Sequence, residues 1–542
     1  MKIQYKNEFD LPAGANVDQL ARKLNEEENR FIVAYESNSE IKNLSEPLEE
    51  NGTIKFVSRT CDCGQRILER SLIFIFLAAV KDILPDKEVI VEHSLSGGIY
   101  TIIQDNKANS YLKKDIISRM KHYIENDDPI IKRMFPKEEV KEYFKGKKYF
   151  DKYSILDYQN DDFVPMYELG KVKETFYGEL IPSCGYVEDF DVEIHGEGFV
   201  ILFPDKMNNF KMPNFTPRHN LARTFNEWGN YVDIMDVGTV AELNYHIEQG
   251  RQDLIIKVSE AFHEKKIARI SDEICESGDK GKLILIAGPS SAGKTTTMGR
   301  LMIQLMTNGK VPLKISLDDY FINREDTPKD EHGEYDYENL HALDLELFNK
   351  NIEDLLNGFK AELPIYDFVT GMRKEEKKII KPVKDQSIIV EGIHGINEEL
   401  TYSLPRSAKY KIYISPMTQL NIDRHNRIPT SDIRKLRRMV RDERTRGIKP
   451  IDTFNRWDSI RRGEEKNIFP FQEEADAMFN SALVYELAVM RNYAEPLLME
   501  IPKESNHYQE AQRLLTFLKS FARIDTSQHP VPGISILREF IG

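Results

Sequence analysis

The chain has 542 residues, 40% hydrophobic and 30% charged, an ordinary globular balance that excludes collagen-like, mucin-like and wholly disordered classes. This length predicts about three or four domains. A formal net charge of −14 opposes general attraction to nucleic acid or anionic lipid, and four cysteines are too few for a disulfide scaffold, pointing to a reducing, cytoplasmic setting.

No apolar segment follows a basic start, so neither a signal nor a transit peptide is expected. Residues 1–60 read as strands around one short helix: MKIQYK, then QLARKLNEE behind Asn16-Val17-Asp18, RFIVAYE and TIKFV. This predicts a small α+β unit. Residues 61–205 predict a second α+β domain, with a long apolar helix, the strand EVIVEH, a turn at Gly97-Gly98, the strand IYTII, a charged helix and a β-rich end. The apolar run 71–80 falls well short of the roughly 20 residues that span a bilayer, so a buried helix and no membrane contact are expected.

Residues 206–278 read as a linker with two prolines followed by a helical connector that stops at Gly278. From 279 to 542, short apolar strands (LILIA, LKISL, SIIVEG, YKIYIS) alternate with amphipathic helices, which predicts an α/β domain on a mainly parallel sheet. The whole is therefore multidomain.

The first of these strands runs into Gly288-Pro-Ser-Ser-Ala-Gly293-Lys294-Thr295 and then a helix. In that context glycines let backbone N–H groups wrap phosphates, and the helix N-terminus adds positive potential. Gly288, Ser290, Ser291, Ala292, Gly293, Lys294, Thr295 and Thr296 are the candidate ATP-binding residues, with Lys294 reaching the β- and γ-phosphates and Thr295 on Mg²⁺. A metal carboxylate should end another core strand, and Glu391 and Asp318-Asp319 both do. Residues 424–446 hold eight arginines, which repel one another unless anions lie between them. We read this stretch as a lid over the transferring phosphoryl group, against the simpler reading of a solvated basic helix.

Six blocks in order, GPSSAGKT, SLDDYF, YDYENLHALD, PIYDFVTGMR, VEGIHG and RRMVRDERTRG, make residues 281–500 resemble the uridine kinase and phosphoribulokinase branch of P-loop kinases. The resemblance implies an ATP- and Mg²⁺-dependent phosphotransferase acting on the 5′-hydroxyl of a nucleoside. It makes Asp318 the base, Lys294, Arg441 and Arg446 the charge-stabilising cations, and Thr295 and Glu391 the magnesium residues. Glu338, where the family has aspartate, would bind ribose hydroxyls, with Tyr366 and Arg373 on the acceptor. Gly371 stands where uridine kinases carry a base-reading histidine, which puts pyrimidine discrimination in doubt. The rival readings are a kinase for another sugar or small alcohol and a nucleotide-switched RNA-binding regulator.

Residues 1–60 resemble the ubiquitin-like TGS domain, through VDQLARKL and LEENGTIKFV. Residues 61–205 are similar to the second additional domain of threonyl-tRNA synthetases, through GQRILERSLIFIFLAAVKDILPD, SGGIYTI and LIPSCG. The four editing positions of that domain, two histidines, a cysteine and a histidine, read here Arg70, Phe74, Phe176 and Leu180. Neither zinc binding nor ester hydrolysis is expected from them. Cys61-x-Cys63 lacks a second pair, His93 reads as a turn residue, and Arg70 marks a remaining anion contact or a weak RNA contact. A homo-oligomer is the expected assembly.

Overall fold

The structure, a computed structural model, describes residues 8–542 apart from 30, 49, 160, 330–332, 334, 368, 369, 384, 385 and 419. The expected strand MKIQYK lies outside the described residues, as do Phe368 and Val369 of the PIYDFVTGMR block.

The first unit is a four-stranded antiparallel sheet in the order Glu8–Leu11, Gly52–Ser58, Ile32–Ser37, Glu40–Lys42. Its helix Val17–Glu28 starts at Asn16, whose side chain accepts from the Gln19 N–H, and lays Val17, Ala21 and Leu24 on Ile32 and Ile54. In the second unit the helix Asp62–Ile83 buries every residue of the 71–80 run, because antiparallel strands and the helix Ser110–Glu125 enclose it. Cys61 caps this helix by accepting from the Gly64 N–H. The hairpin Val89–Leu95 to Gly98–Ile103 turns at Ser96 and Gly97, both at positive φ (55° and 81°), as a two-residue type I′ turn requires. His93 therefore belongs to a buried strand and not, as expected, to the turn.

The segment expected to be linker and connector forms three helices, His219–Met235, Val240–Glu248 and Gln252–Glu276. Trp228, Ile255, Ile267 and Ile274 share one core with Ile284 and Ile412 of the parallel sheet. These helices thus form one layer of the α/β region. Its sheet runs Leu313–Ser316, Ile388–Glu391, Leu283–Ala287, Lys409–Ser415, Ala477–Asn480, all parallel. The register sets Ile286 and Ser316 beside Glu391. The phosphate loop, Asp318 and Glu391 consequently gather at the carboxyl ends of adjacent strands, where α/β sheets bind ligands.

The two halves are sewn together by residues 421–426. Val91 N–H donates to Arg424 O at 2.8 Å, and Asn421 Nδ2 donates to Val91 O at 2.9 Å. Lys152, 1% exposed, bridges Glu174 at 2.8 Å and Asp423 at 2.9 Å, while Arg424 pairs with Asp151 at 2.8 Å. A buried charge without such partners would cost several kcal/mol. Among the described residues, no helix is long and apolar enough to cross a membrane.

Candidate active site

Two glycines shape the phosphate loop. A Cβ on Gly288 would lie 2.0 Å from Ile414 O, and Gly293 has φ +84°; Ser291 also takes a left-handed backbone at φ +60°, strain of the kind kept at ligand sites. Ala292 is buried in the core beneath. The helix Lys294–Thr307 follows, with Thr297 Oγ1 donating to Gly293 O at 2.8 Å. Lys294 Nζ donates to Gly288 O at 2.9 Å and Pro289 O at 3.1 Å, curling over the loop.

Thr295 Oγ1 stands 3.1 Å from both carboxylate oxygens of Glu391. A hydroxyl and a carboxylate form the oxygen-only donor set that Mg²⁺ takes, one or two protein oxygens with phosphates and waters completing the shell. No group of three or more His, Cys, Asp or Glu residues able to hold a metal occurs among the described residues. Asp318 follows its strand in a one-turn helix, Leu317–Tyr320, which Ser316 caps. The Asp318 side chain opens to the cleft, yet loss of hydration raises its pKa against the opposing pull of Lys294. Burial likewise raises Glu391 and lowers Lys294, each restrained by the other's charge. These three groups form one electrostatic unit.

Glu338 belongs to the same unit. Burial, with Glu464 nearby, pushes its carboxyl up to about 7, while Arg438 and Lys294 pull the other way. Gly463 makes room for it, since a Cβ there would stand 2.3 Å from Glu338 Cβ.

Residues Thr430–Arg446, expected as a lid, form a helix whose arginines bond Ser290 and Ser291 of the phosphate loop, and Arg434, Arg437, Arg441 and Arg446 find their anions within the protein. Arg434 (1% exposed) pairs with the fully buried Glu464, and Arg437 (0%) pairs with Glu486. Arg434 Nε also donates to Ser290 O at 3.0 Å, Arg437 Nη1 to Ser291 O at 3.3 Å and Arg438 Nη1 to Ser290 Oγ at 2.5 Å. Glu464 in turn accepts the Ser290 N–H at 2.9 Å. Arg441 and Arg446 pair with Asp442 at 2.7 and 3.3 Å; Arg446, 53% exposed, also lends its charge to Asp318. The sequence reading took Arg434, Arg437 and Arg438 only as members of the arginine stretch and did not single out Glu464. The available signal was the demand of eight arginines for acids, which RRGEEKN meets at Glu464.

The acceptor block is less convergent. Arg373 is occupied by Tyr320 O and Phe321 O, both at 2.8 Å, and by Asp344 at 2.9 Å, so it holds the acceptor loop in shape. Tyr366 is buried and packs on Phe321 at 5.6 Å between centroids. Gly371, at φ +72°, leaves space that the Arg324 guanidinium fills, its carbon 2.6 Å from where a Cβ would stand.

Residues 283–488 match the family model described as Phosphoribulokinase / Uridine kinase family. The uridine kinase of Staphylococcus aureus (strain JH9) is 31% identical over 195 residues, covering 36% of this chain and 84% of that protein. The chain belongs to the phosphoribulokinase and uridine kinase family. Two solved structures are similar at lower identity. A possible uridine kinase from Bacillus stearothermophilus is 20% identical, covering 36% of this chain and 87% of its own, with a TM-score of 0.24. A D-glycerate 3-kinase from Cryptococcus neoformans is 16% identical, covering 36% and 80%, with a TM-score of 0.24. The loop, Asp318 and Glu391 meet at the carboxyl end of the parallel sheet.

At the four editing-like positions of the N-terminal half, Phe74 and Phe176 meet edge to face at 5.4 Å and Leu180 is fully buried. Arg70 instead donates to Glu179 O at 2.9 and 3.2 Å.

Proposed function

We propose that this chain is an ATP- and Mg²⁺-dependent kinase that phosphorylates the 5′-hydroxyl of a nucleoside. The observation that carries the reading is the meeting of Lys294, Asp318, Glu391 and Thr295 at one end of the parallel sheet, in a chain related to a uridine kinase. Lys294 and the loop N–H groups bind the triphosphate. Bound Mg²⁺ would be held by Thr295 and Glu391 and would neutralise charge on the transferred group. Asp318 accepts the proton of the acceptor hydroxyl; its raised pKa makes it a stronger base than a solvated aspartate. Arg438 and Arg446 add positive charge beside the site, and Glu338 orients the acceptor's vicinal hydroxyls.

A second reading, a different sugar or small alcohol as acceptor, is favoured by Gly371 and by the engagement of Arg373 within the protein. The N-terminal half, in our reading a TGS-like unit and a synthetase-like unit, is silent as an editing enzyme, because no imidazole or thiol stands at Arg70, Phe74, Phe176 or Leu180. ADP release measured across a panel of nucleosides, sugars and small alcohols tests the proposal. Release with nucleosides supports it, release only with other alcohols selects the second reading, and release with none overturns both.

A further inference from the structure

Three backbone groups of the phosphate loop are held from the side of the arginine helix Thr430–Arg446. Arg434 Nε donates to Ser290 O at 3.0 Å, Arg437 Nη1 donates to Ser291 O at 3.3 Å, and Glu464, the partner of Arg434, accepts the Ser290 N–H at 2.9 Å. The C=O and the following N–H of a trans peptide point opposite ways, so a Ser290 carbonyl fixed on the helix turns the Ser291 N–H away from it. Ser291 sits at φ +60°, a backbone that a non-glycine residue keeps only when its surroundings impose it. The form of the loop therefore depends on where the first turns of this helix stand.

Apolar packing alone does not settle that position. Ile433, Leu436, Met439 and Val440 bury the helix in the core, but such burial is non-directional and restrains slide and rotation less than paired charges do.

Directed contacts reach the same turns from the N-terminal half. Arg427, just ahead of the helix, pairs with Glu69 at 2.8 Å. Lys435 pairs with Glu510 at 2.8 Å, and the same carboxylate takes Arg66 and Arg513 at 2.8 Å each, with Arg513 also holding Asp432 at 2.8 Å. Burial opposes the charge of Glu510, yet Arg513, Arg66 and Lys435 keep its carboxyl well below the usual range. Glu69 and Arg66 both belong to the helix Asp62–Ile83. None of these side chains is more than 25% exposed, so they differ from screened surface pairs, and removing one partner strands the other.

We propose that Glu69 and Arg66 are positioning residues of the kinase: through Arg427 and through Glu510 with Lys435, the N-terminal half sets the register of the arginine helix and thereby the donor-binding form of the phosphate loop. The inference rests on the reading of that loop as the ATP site. It gives the N-terminal half a task that needs neither a metal nor a nucleophile. The route is short, because the side chains that meet the N-terminal half (Arg427, Lys435) and those that meet the loop (Arg434, Arg437) alternate along one stretch of chain.

The test is equilibrium binding of the fluorescent analogue mant-ATP to the full chain, beside steady-state kinetics with an acceptor that supports ADP release. Glu69→Gln and Arg66→Met should each weaken mant-ATP binding by about fivefold or more, on the scale of coupling between sites, and raise the KM for ATP in parallel. The acceptor KM should stay as in the wild type. Arg66→Lys, which keeps the charge, should retain most of the affinity. Glu69→Gln combined with Arg427→Gln should lose no more than the worse single variant, because the two residues act as one unit. Unfolding midpoints establish that each variant folds; a merely structural role would lower them and leave the affinity of the folded protein unchanged. Affinity within about twofold of wild type in both Glu69→Gln and Arg66→Met overturns the proposal, as do additive losses in the double variant or an equal rise in both KM values. Absence of mant-ATP binding to the wild-type chain would overturn the donor reading and this inference with it, whereas binding that the variants leave intact overturns this inference alone.

Discussion

Glu539 reaches the N-terminus of the phosphate-loop helix, where its carboxylate accepts from Thr296 N–H at 3.3 Å and Thr296 Oγ1 at 2.8 Å. Ile536 packs beside it, its Cγ2 2.5 Å from where a Cβ on Gly293 would stand. A helix N-terminus that should present its donors to phosphate is thus partly satisfied by a protein anion. Glu539→Gln should tighten ATP binding about fivefold, on the scale of the ~1 kcal/mol that a charge contributes at a helix end. Calorimetric titration of ATP into both forms checks this: unchanged binding would show that Glu539 does not compete with the nucleotide, and weaker binding that it assists it.

Lys294→Ala should lower kcat by about a hundredfold or more, the scale of a lost charge clamp, and leave the unfolding midpoint nearly unchanged. Asp318→Asn keeps shape but accepts no proton, so turnover should fall while ATP affinity holds. Loss of ATP affinity in Asp318→Asn would instead assign that residue to the metal.

Arg437 and Glu486 are both within 1% of full burial. Removing one partner strands a charge, so Arg437→Met should destabilise by ~3–5 kcal/mol. The double variant Arg437→Met with Glu486→Leu should recover much of that loss. Arg446→Ala, on an exposed side chain, should leave stability within about 0.5 kcal/mol and act on turnover. Denaturant unfolding beside steady-state kinetics separates the two kinds of arginine.

Glu338 titrates at about 7 in the folded protein, raised by burial from an ordinary 4.5. The folded state therefore keeps a proton that the unfolded chain releases between these values, so this group makes stability fall as pH rises from about 4.5 to about 7. Glu338→Gln should remove that part of the slope and stabilise the protein above pH 7. If the ionised carboxylate orients the acceptor, the wild-type acceptor KM should fall as pH rises through 7, and the variant should not show that trend. Unfolding midpoints and KM between pH 5 and 8.5 measure both.

Base selectivity should be broad. Gly371, at φ +72°, carries no side chain of its own, and the donors in the adjoining space belong to Arg324, so the reading of a pyrimidine edge by a histidine at this position is lost and discrimination should weaken. Purine and pyrimidine nucleosides should differ by less than about tenfold in kcat/KM. A strong preference for uridine and cytidine would require another residue to read the base.

The kinase motifs were legible because they are local. LILIA-GPSSAGKT writes a strand, a loop and a helix start in consecutive residues, and Glu391 and Asp318 follow apolar runs that form an inner strand and the edge strand of the same sheet. The helix of apolar residues 71–80 was legible for the same reason. The partners of the arginine helix were not, because Arg434 meets Glu464 and Arg437 meets Glu486 only when separate helices pack. The helix His219–Met235 follows two prolines that favoured a linker reading, and its place in the kinase core depends on Trp228 finding the sheet's far face. Composition and periodicity determine which segments become strands and helices, since those preferences act over a few residues. Whether a charged side chain lines a cleft, locks two halves as Lys152 does, or bonds a distant carbonyl as Arg70 does is decided by burial and partners supplied from distant positions.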